Sequence, residues 1–87
     1  RDFHLFQNSP NPFNAATTLS FTLPYTTHVS LVVLDLAGRE VRILANNRME
    51  EGKHERVWKA SHLPSGIYLC RLEAGSFRQT RKLALIK

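Results

Sequence analysis

Apolar residues along this chain recur at every second position far more often than at helical spacing, the signature of strands half-buried on one face. Leu19, Phe21 and Leu23 alternate with Thr18, Ser20 and Thr22. Val29, Leu31 and Val33 form the inward set of a following strand, but Val32 and Leu34 make its opposite face apolar as well. That face is expected either to lie under the N-terminal segment or to form an exposed patch. Asp35-Leu36-Ala37-Gly38 reads as a turn. Aspartate suits the first position of a type I turn, where its carboxylate accepts backbone N–H groups, and glycine suits the fourth. A strand through Val41, Ile43 and Leu44 completes a hairpin, and residues 46–52 read as a polar loop. A strand over residues 54–60 carries the only tryptophan, Trp58. Leu63-Pro64-Ser65-Gly66 reads as a corner, and a final hairpin turns at Gly75-Ser76 and runs to Lys87.

The N-terminal segment follows different rules. Phe3, Leu5 and Phe6 suit a short strand, and Asn8-Ser9-Pro10-Asn11-Pro12-Phe13-Asn14 follows. Each proline fixes its own φ and moves the preceding residue out of the helical region, so the segment is a stiff corner that Phe13 can plug against the core. Six or seven short strands with turns at this spacing predict an antiparallel β-sandwich. Residues 1–87 are expected to form one domain, with 1–4 as a linker remnant.

Composition narrows the function. The chain has 87 residues, 43% hydrophobic and 22% charged, as expected of an ordinary small domain. Its formal net charge is +5, of which residues 71–87 supply +4 through Arg71, Arg78, Arg81, Lys82 and Lys87 against Glu73. The surplus therefore belongs to the terminal hairpin. It favours acidic partners without naming one, and it lacks the aromatic-plus-basic platform expected of a nucleic-acid binder. Cys70 cannot form an internal disulfide, and within an apolar strand it reads as a small buried hydrophobe. His4, His28, His54 and His62 show no ligand-pair spacing, so no metal is expected. No Ser/His/Asp or paired-carboxylate arrangement is readable, which predicts no catalytic residues and no cofactor. No apolar run reaches the length of a membrane helix. The chain opens on Arg1 rather than methionine, which predicts a piece of a longer precursor whose export signal lies upstream.

The order of these pieces resembles the type A C-terminal sorting domain of the type IX secretion system, carried by secreted proteins of Bacteroidota and their relatives. Residues 7–14 look like that family's opening motif and residues 17–23 like its next strand. Asp35-Leu36-Ala37-Gly38-Arg39-Glu40-Val41 resembles its central turn, and Gly52-Lys53-His54, Trp58 and Ala60 its fifth strand. Pro64-Ser65-Gly66-Ile67-Tyr68 with Arg71-Leu72 is similar to its Gly-x-Tyr motif, and residues 79–87 to its terminal strand. Three positions depart from the pattern. Arg56 stands where an apolar residue is usual, which a bulge bringing in Val57 would reconcile. Leu34 stands where the family often has tyrosine, and Cys70 where an aromatic is common.

The resemblance implies an immunoglobulin-like sandwich with no reaction centre. It implies a label that carries an upstream cargo, such as a secreted enzyme, through the periplasm to the cell surface. The partners it implies are outer-membrane translocon components, a sortase-like peptidase and an anionic lipopolysaccharide; the domain is expected to be monomeric and not to bind nucleic acid. The residues it assigns to recognition are Pro10, Asn11, Pro12, Phe13, Gly66, Tyr68, Arg71, Arg81, Lys82 and Lys87, with Asp35, Gly38 and Gly75 as turn formers. Two other readings compete. One is a carbohydrate-binding module, for which Trp58 and Tyr25 are the candidate stacking aromatics; the other is a structural immunoglobulin-like module such as that of a flagellar hook-capping protein.

Overall fold

Seven strands realise the alternating pattern: β1 (His4–Leu5), β2 (Ala16–Leu23), β3 (Thr27–Leu34), β4 (Glu40–Met49), β5 (Gly52–Lys59), β6 (Gly66–Ala74) and β7 (Phe77–Leu85). The structure, a computed structural model, describes residues 2–87. The strands form two antiparallel sheets, one ordered β1-β2-β5 and the other β4-β3-β6-β7. This is an immunoglobulin-like β-sandwich in which the fourth strand pairs with the third instead of the fifth. The tight Asp35 turn makes that pairing local.

Inward-facing residues of both sheets meet in one core. Leu19, Phe21 and Leu23 of β2 pack with Val29, Leu31 and Val33 of β3, and with Cys70, Leu72, Leu83 and Leu85 of the terminal hairpin. The β2–β5 register runs unbroken from Ala16↔Lys59 to Leu23↔Gly52. The bulge expected near Arg56 is therefore absent: Arg56 faces inward at the sheet edge, half-buried, and Val57 points out to solvent. An arginine is tolerated there because β5 is an edge strand and its long stem can cover apolar surface while the head stays wet.

Several expectations change. Residues 46–49 continue β4 instead of forming a loop, pairing with residues 27–30 of β3. Two register shifts in the β3–β4 ladder, at Leu31/Val32 and Val33/Leu34, let Val41 and Leu44 pack towards the core while Ile43 faces out. Val32 and Leu34 are buried on the outer face, at 4% and 6% exposure. Their cover comes from neighbouring strands, Ile43 and Arg71 beside Val32 and Leu69 beside Leu34, and not from the N-terminal segment. Residues 2–4, within the segment read as a linker remnant, pack on the sandwich. Thr22 Oγ1 donates to the Asp2 carbonyl, Phe3 stacks on Phe77 at 5.0 Å, and His4 belongs to β1. Arg1, the remaining residue of that expected linker, lies outside the described residues.

Candidate recognition surface

The opening motif lies along the free edge of β7. Phe13 N–H donates to the Ala84 carbonyl and Ile86 N–H to the Phe13 carbonyl, both at 2.9 Å, which makes a parallel bridge to Leu85. Asn11 Oδ1 accepts from Ala84 N–H at 3.0 Å, and Gln7 Nε2 donates to the Lys82 carbonyl at 2.8 Å. These contacts occupy backbone groups that would otherwise form an unpaired edge. The loop itself is held by Asn8, whose buried amide donates to the Pro10 carbonyl and to Thr17 Oγ1, while that hydroxyl donates to the same carbonyl at 2.8 Å. Pro10, Asn11 and Pro12 stay exposed, and Phe13 is buried at 1% exposure.

Phe13 leads directly to the Gly-x-Tyr corner. Its ring packs on Trp58 at 5.5 Å, and Trp58 meets Tyr68 edge-to-face at 5.5 Å. Tyr68 is buried, and its hydroxyl donates to the Pro64 carbonyl at 2.8 Å, so it braces the corner four residues upstream. Gly66 pairs with Leu85 and adopts φ +155°, where a side chain is strained even though no atom lies within 4 Å of a Cβ placed there. Lys87 Nζ donates to the Ser61 carbonyl at 2.6 Å, tying the C-terminal residue to the same corner.

Seven of the ten residues assigned to recognition thus gather at one end of the sandwich: Pro10, Asn11, Pro12, Phe13, Gly66, Tyr68 and Lys87. The other three are elsewhere. Arg81 faces inward from β7 and its Nε donates to the Leu5 carbonyl at 2.9 Å. Arg71 and Lys82 stand on the outer face of the four-stranded sheet, opposite Thr80 and Leu69 respectively.

Asp35 Oδ1 accepts the N–H groups of Ala37 and Arg39, Oδ2 accepts Arg39 Nε, and Gly38 N–H donates to the Asp35 carbonyl. The Arg39 backbone N–H, followed by its guanidinium, holds the Asp35 carboxyl below its ordinary value. Gly75 has φ +60° between the paired residues Ala74 and Phe77, while Ser76 keeps a negative φ. That combination fits a two-residue turn of type II′, in which only the first residue needs the left-handed region.

Sequence reasoning missed three residues. Gln79 Oε1 accepts Leu5 N–H at 2.8 Å, so it and Arg81 together satisfy one residue of β1. Asn8 is among the few buried polar side chains, a role its position in a polar, proline-rich stretch conceals. Ala15 takes φ +78° and offers its carbonyl to Ala60 N–H. No sequence signal marks it, since glycine or asparagine is the usual choice there.

The arrangement is poorly suited to chemistry. Cys70 is fully buried and desolvation pushes its thiol up to about 12, away from the thiolate a nucleophile needs. The four histidines lie apart: His28 bonds Asn46, His54 meets the Glu50 carbonyl, and His4 packs on Phe6, while His62 is exposed in the loop after β5. Trp58 is enclosed between Phe13 and Tyr68, so it cannot join the exposed Tyr25 in a sugar-stacking platform.

A family model, Secretion system C-terminal sorting domain, matches residues 9–87. No curated protein matches the chain. The match takes in nearly all of the sequence, and the chain belongs to this family of type IX sorting domains, whose members serve as non-catalytic sorting signals on secreted proteins.

Proposed function

We propose that this sorting domain directs an upstream cargo across the outer membrane and on to attachment at the cell surface. The observation that supports this reading most directly is the convergence of the family's separated motifs. Residues 10–13, 66–68 and 85–87 meet at one end of the sandwich, through Phe13, Leu85 and Gly66 in one row of paired strands. In this reading the exposed Pro10-Asn11-Pro12 corner is presented to outer-membrane translocon components, and Phe13, Tyr68 and Gly66 hold it in shape. The basic outer residues Arg71 and Lys82 are the electrostatic part of the signal, Lys87 secures the C-terminal end, and Arg81 holds the N-terminal strand against the hairpin. A sortase-like peptidase then processes the precursor, and an anionic lipopolysaccharide receives the cargo. Residues 1–87 act as one non-catalytic domain, monomeric, passing through the periplasm on the way to the surface.

The test fuses the chain to a passenger already exported to the periplasm of a host with type IX secretion. The passenger is expected at the cell surface; retention in the periplasm would refute the reading. Deleting residues 77–87 should strand it in the periplasm. Because β7 contributes Leu83 and Leu85 to the core, the deletion is paired with Asn11→Asp, which alters the exposed side chain but keeps the Oδ1 acceptor of Ala84 N–H. Reduced display of that variant at unchanged melting temperature is expected, and full display would remove the corner from the signal.

A further inference from the structure

We infer that the outer face of the four-stranded sheet is a docking surface for a protein partner that presents carboxylates beside apolar side chains. The inference rests on the sorting reading and names the face through which recognition works. Along β3, β4, β6 and β7 the outward residues fall in rows in which apolar and basic side chains stand side by side. The apolar residues gather towards one end: Ile43 stands beside Val32, Leu69 beside Leu34, and Ile67 beside Ala84. Ile43 and Ile67 are 53% and 40% exposed although both lie on strands. Lys82 beside Leu69 and Arg71 beside Val32 bring bases into the same rows, and Arg78 and Arg48 stand in the rows beyond.

The acids on this face do not balance the bases. Glu73 serves two guanidinium groups at once: Arg78 takes Oε2 at 2.8 Å, and Arg71 Nε remains 3.6 Å from Oε1. That nitrogen is buried and has no hydrogen-bond partner among the described residues. A buried donor left unpaired is uncommon enough to need an explanation. Here one carboxylate is shared where two would be needed, so the face retains positive charge that an incoming acid can meet. Glu40 is the other outward acid, and it sits at the apolar end beside Leu34.

Charge selects the occupant. A second copy docking face to face would set these same bases against themselves, and like charges across an interface oppose association. An anionic glycan would use the bases but make little use of Ile43, Ile67 and Leu69. A protein surface with both acids and apolar side chains uses both the bases and the apolar residues between them. The molecule measures 37 by 23 by 16 Å along its principal axes, so a broad face accommodates the roughly 800 Å² that one partner contributes to a standard interface. The outer face of the other sheet has a polar centre, Thr18, Ser20 and Thr22 of β2, and its exposed apolar residues are set apart on either side of it: Val57 on β5, and Phe6, which Lys53 covers.

The test uses the same passenger fusion. Lys82→Glu and Ile43→Asp alter exposed side chains of this face. Lys59→Glu and Val57→Asp are their matched controls on the opposite sheet, Val57 being 57% exposed. We expect the two outer-face variants to lose at least about tenfold of surface display, the size of a lost interfacial charge contact, with passenger accumulating in the periplasm. The controls should display normally, and all four purified chains should melt near the wild type. Equal display of all four variants, with the wild type exported, would overturn the inference while leaving the sorting function standing. Lack of export by the wild type would sink the sorting reading itself. Passenger that crosses the outer membrane but is shed into the medium would assign the face to an anionic glycan and overturn the protein partner. A dimer of the purified chain in sedimentation, abolished by Ile43→Asp, would assign it to self-association and overturn it as well.

Discussion

Arg81 donates Nε to the carbonyl of Leu5 at 2.9 Å, joining residues 76 positions apart. Gln79 accepts the N–H of the same Leu5 at 2.8 Å. Two side chains of β7 therefore do for β1 what a neighbouring strand's backbone would do. The arrangement closes the sandwich on that side, because β1 has only two residues and pairs with β2 alone. Arg81→Ala and Gln79→Ala are each expected to cost about 1–2 kcal/mol, the loss of a partly buried hydrogen bond and the stranding of its partner. The double substitution should cost less than the sum, since both act on one residue. Urea denaturation of the four proteins checks this; strictly additive effects would show that the two contacts are independent.

The Gly66 corner supplies a graded series. Gly66→Val should lower stability by about 1–3 kcal/mol through backbone strain, since Gly66 has φ +155° with open space around it. Tyr68→Phe removes only the hydrogen bond to Pro64 and should cost about 0.5–1.5 kcal/mol. Phe13→Ala empties a site 1% exposed against Trp58 and should cost about 3–5 kcal/mol. Thermal or chemical unfolding gives the order directly. A Phe13→Ala protein as stable as Tyr68→Phe would mean that the opening motif does not pack as described.

The strands and most of the core were legible because period two is a property of the local sequence. Leu19, Phe21 and Leu23, and Tyr68, Cys70 and Leu72, alternate without interruption, and each set is buried. The turns at Asp35 and Gly75 were legible for a similar reason, since their chemistry lies within a few residues. What escaped the sequence depends on distant partners. Asn46, Asn47 and Arg48 have poor strand propensity, and β3 nevertheless recruits them into β4. The two bulges that turn Ile43 outward have no local marker. Arg81 counts in the basic surplus of the terminal hairpin, but the N-terminal strand gives its guanidinium a partner inside the fold. The motifs were legible one by one, yet only the pairing of Phe13, Leu85 and Gly66 brings residues so far apart in sequence to one end of the sandwich.

Cys70 should resist alkylation in the native protein. Its thiol is fully buried and its pKa is pushed up to about 12 by desolvation, so thiolate is scarce near neutral pH and reagents lack access. Iodoacetamide followed by mass spectrometry should show an unmodified native chain and complete modification in denaturant. Fast labelling of the native protein would mean that β6 opens readily, which its central position between β3 and β7 argues against.

Asp35 gives the fold a defined acid sensitivity. The N–H of Arg39 is the largest of the influences on its carboxyl, with the Arg39 guanidinium and the N–H of Ala37 acting in the same direction. All three favour the charged form, so the folded-state pKa lies below the ordinary value of 3.8. A group depressed in this way contributes stability that is complete above the unfolded-state value and disappears as pH falls through the folded-state value. Asp35→Asn keeps an oxygen acceptor but has no charge to lose. The stability difference between the wild type and Asp35→Asn should therefore be constant near neutral pH and should shrink as the solution is acidified below the ordinary aspartate range. Denaturation midpoints of both proteins across that range check this. A gap that stays constant or widens in acid would show that the carboxylate is not what the Asp35 turn depends on.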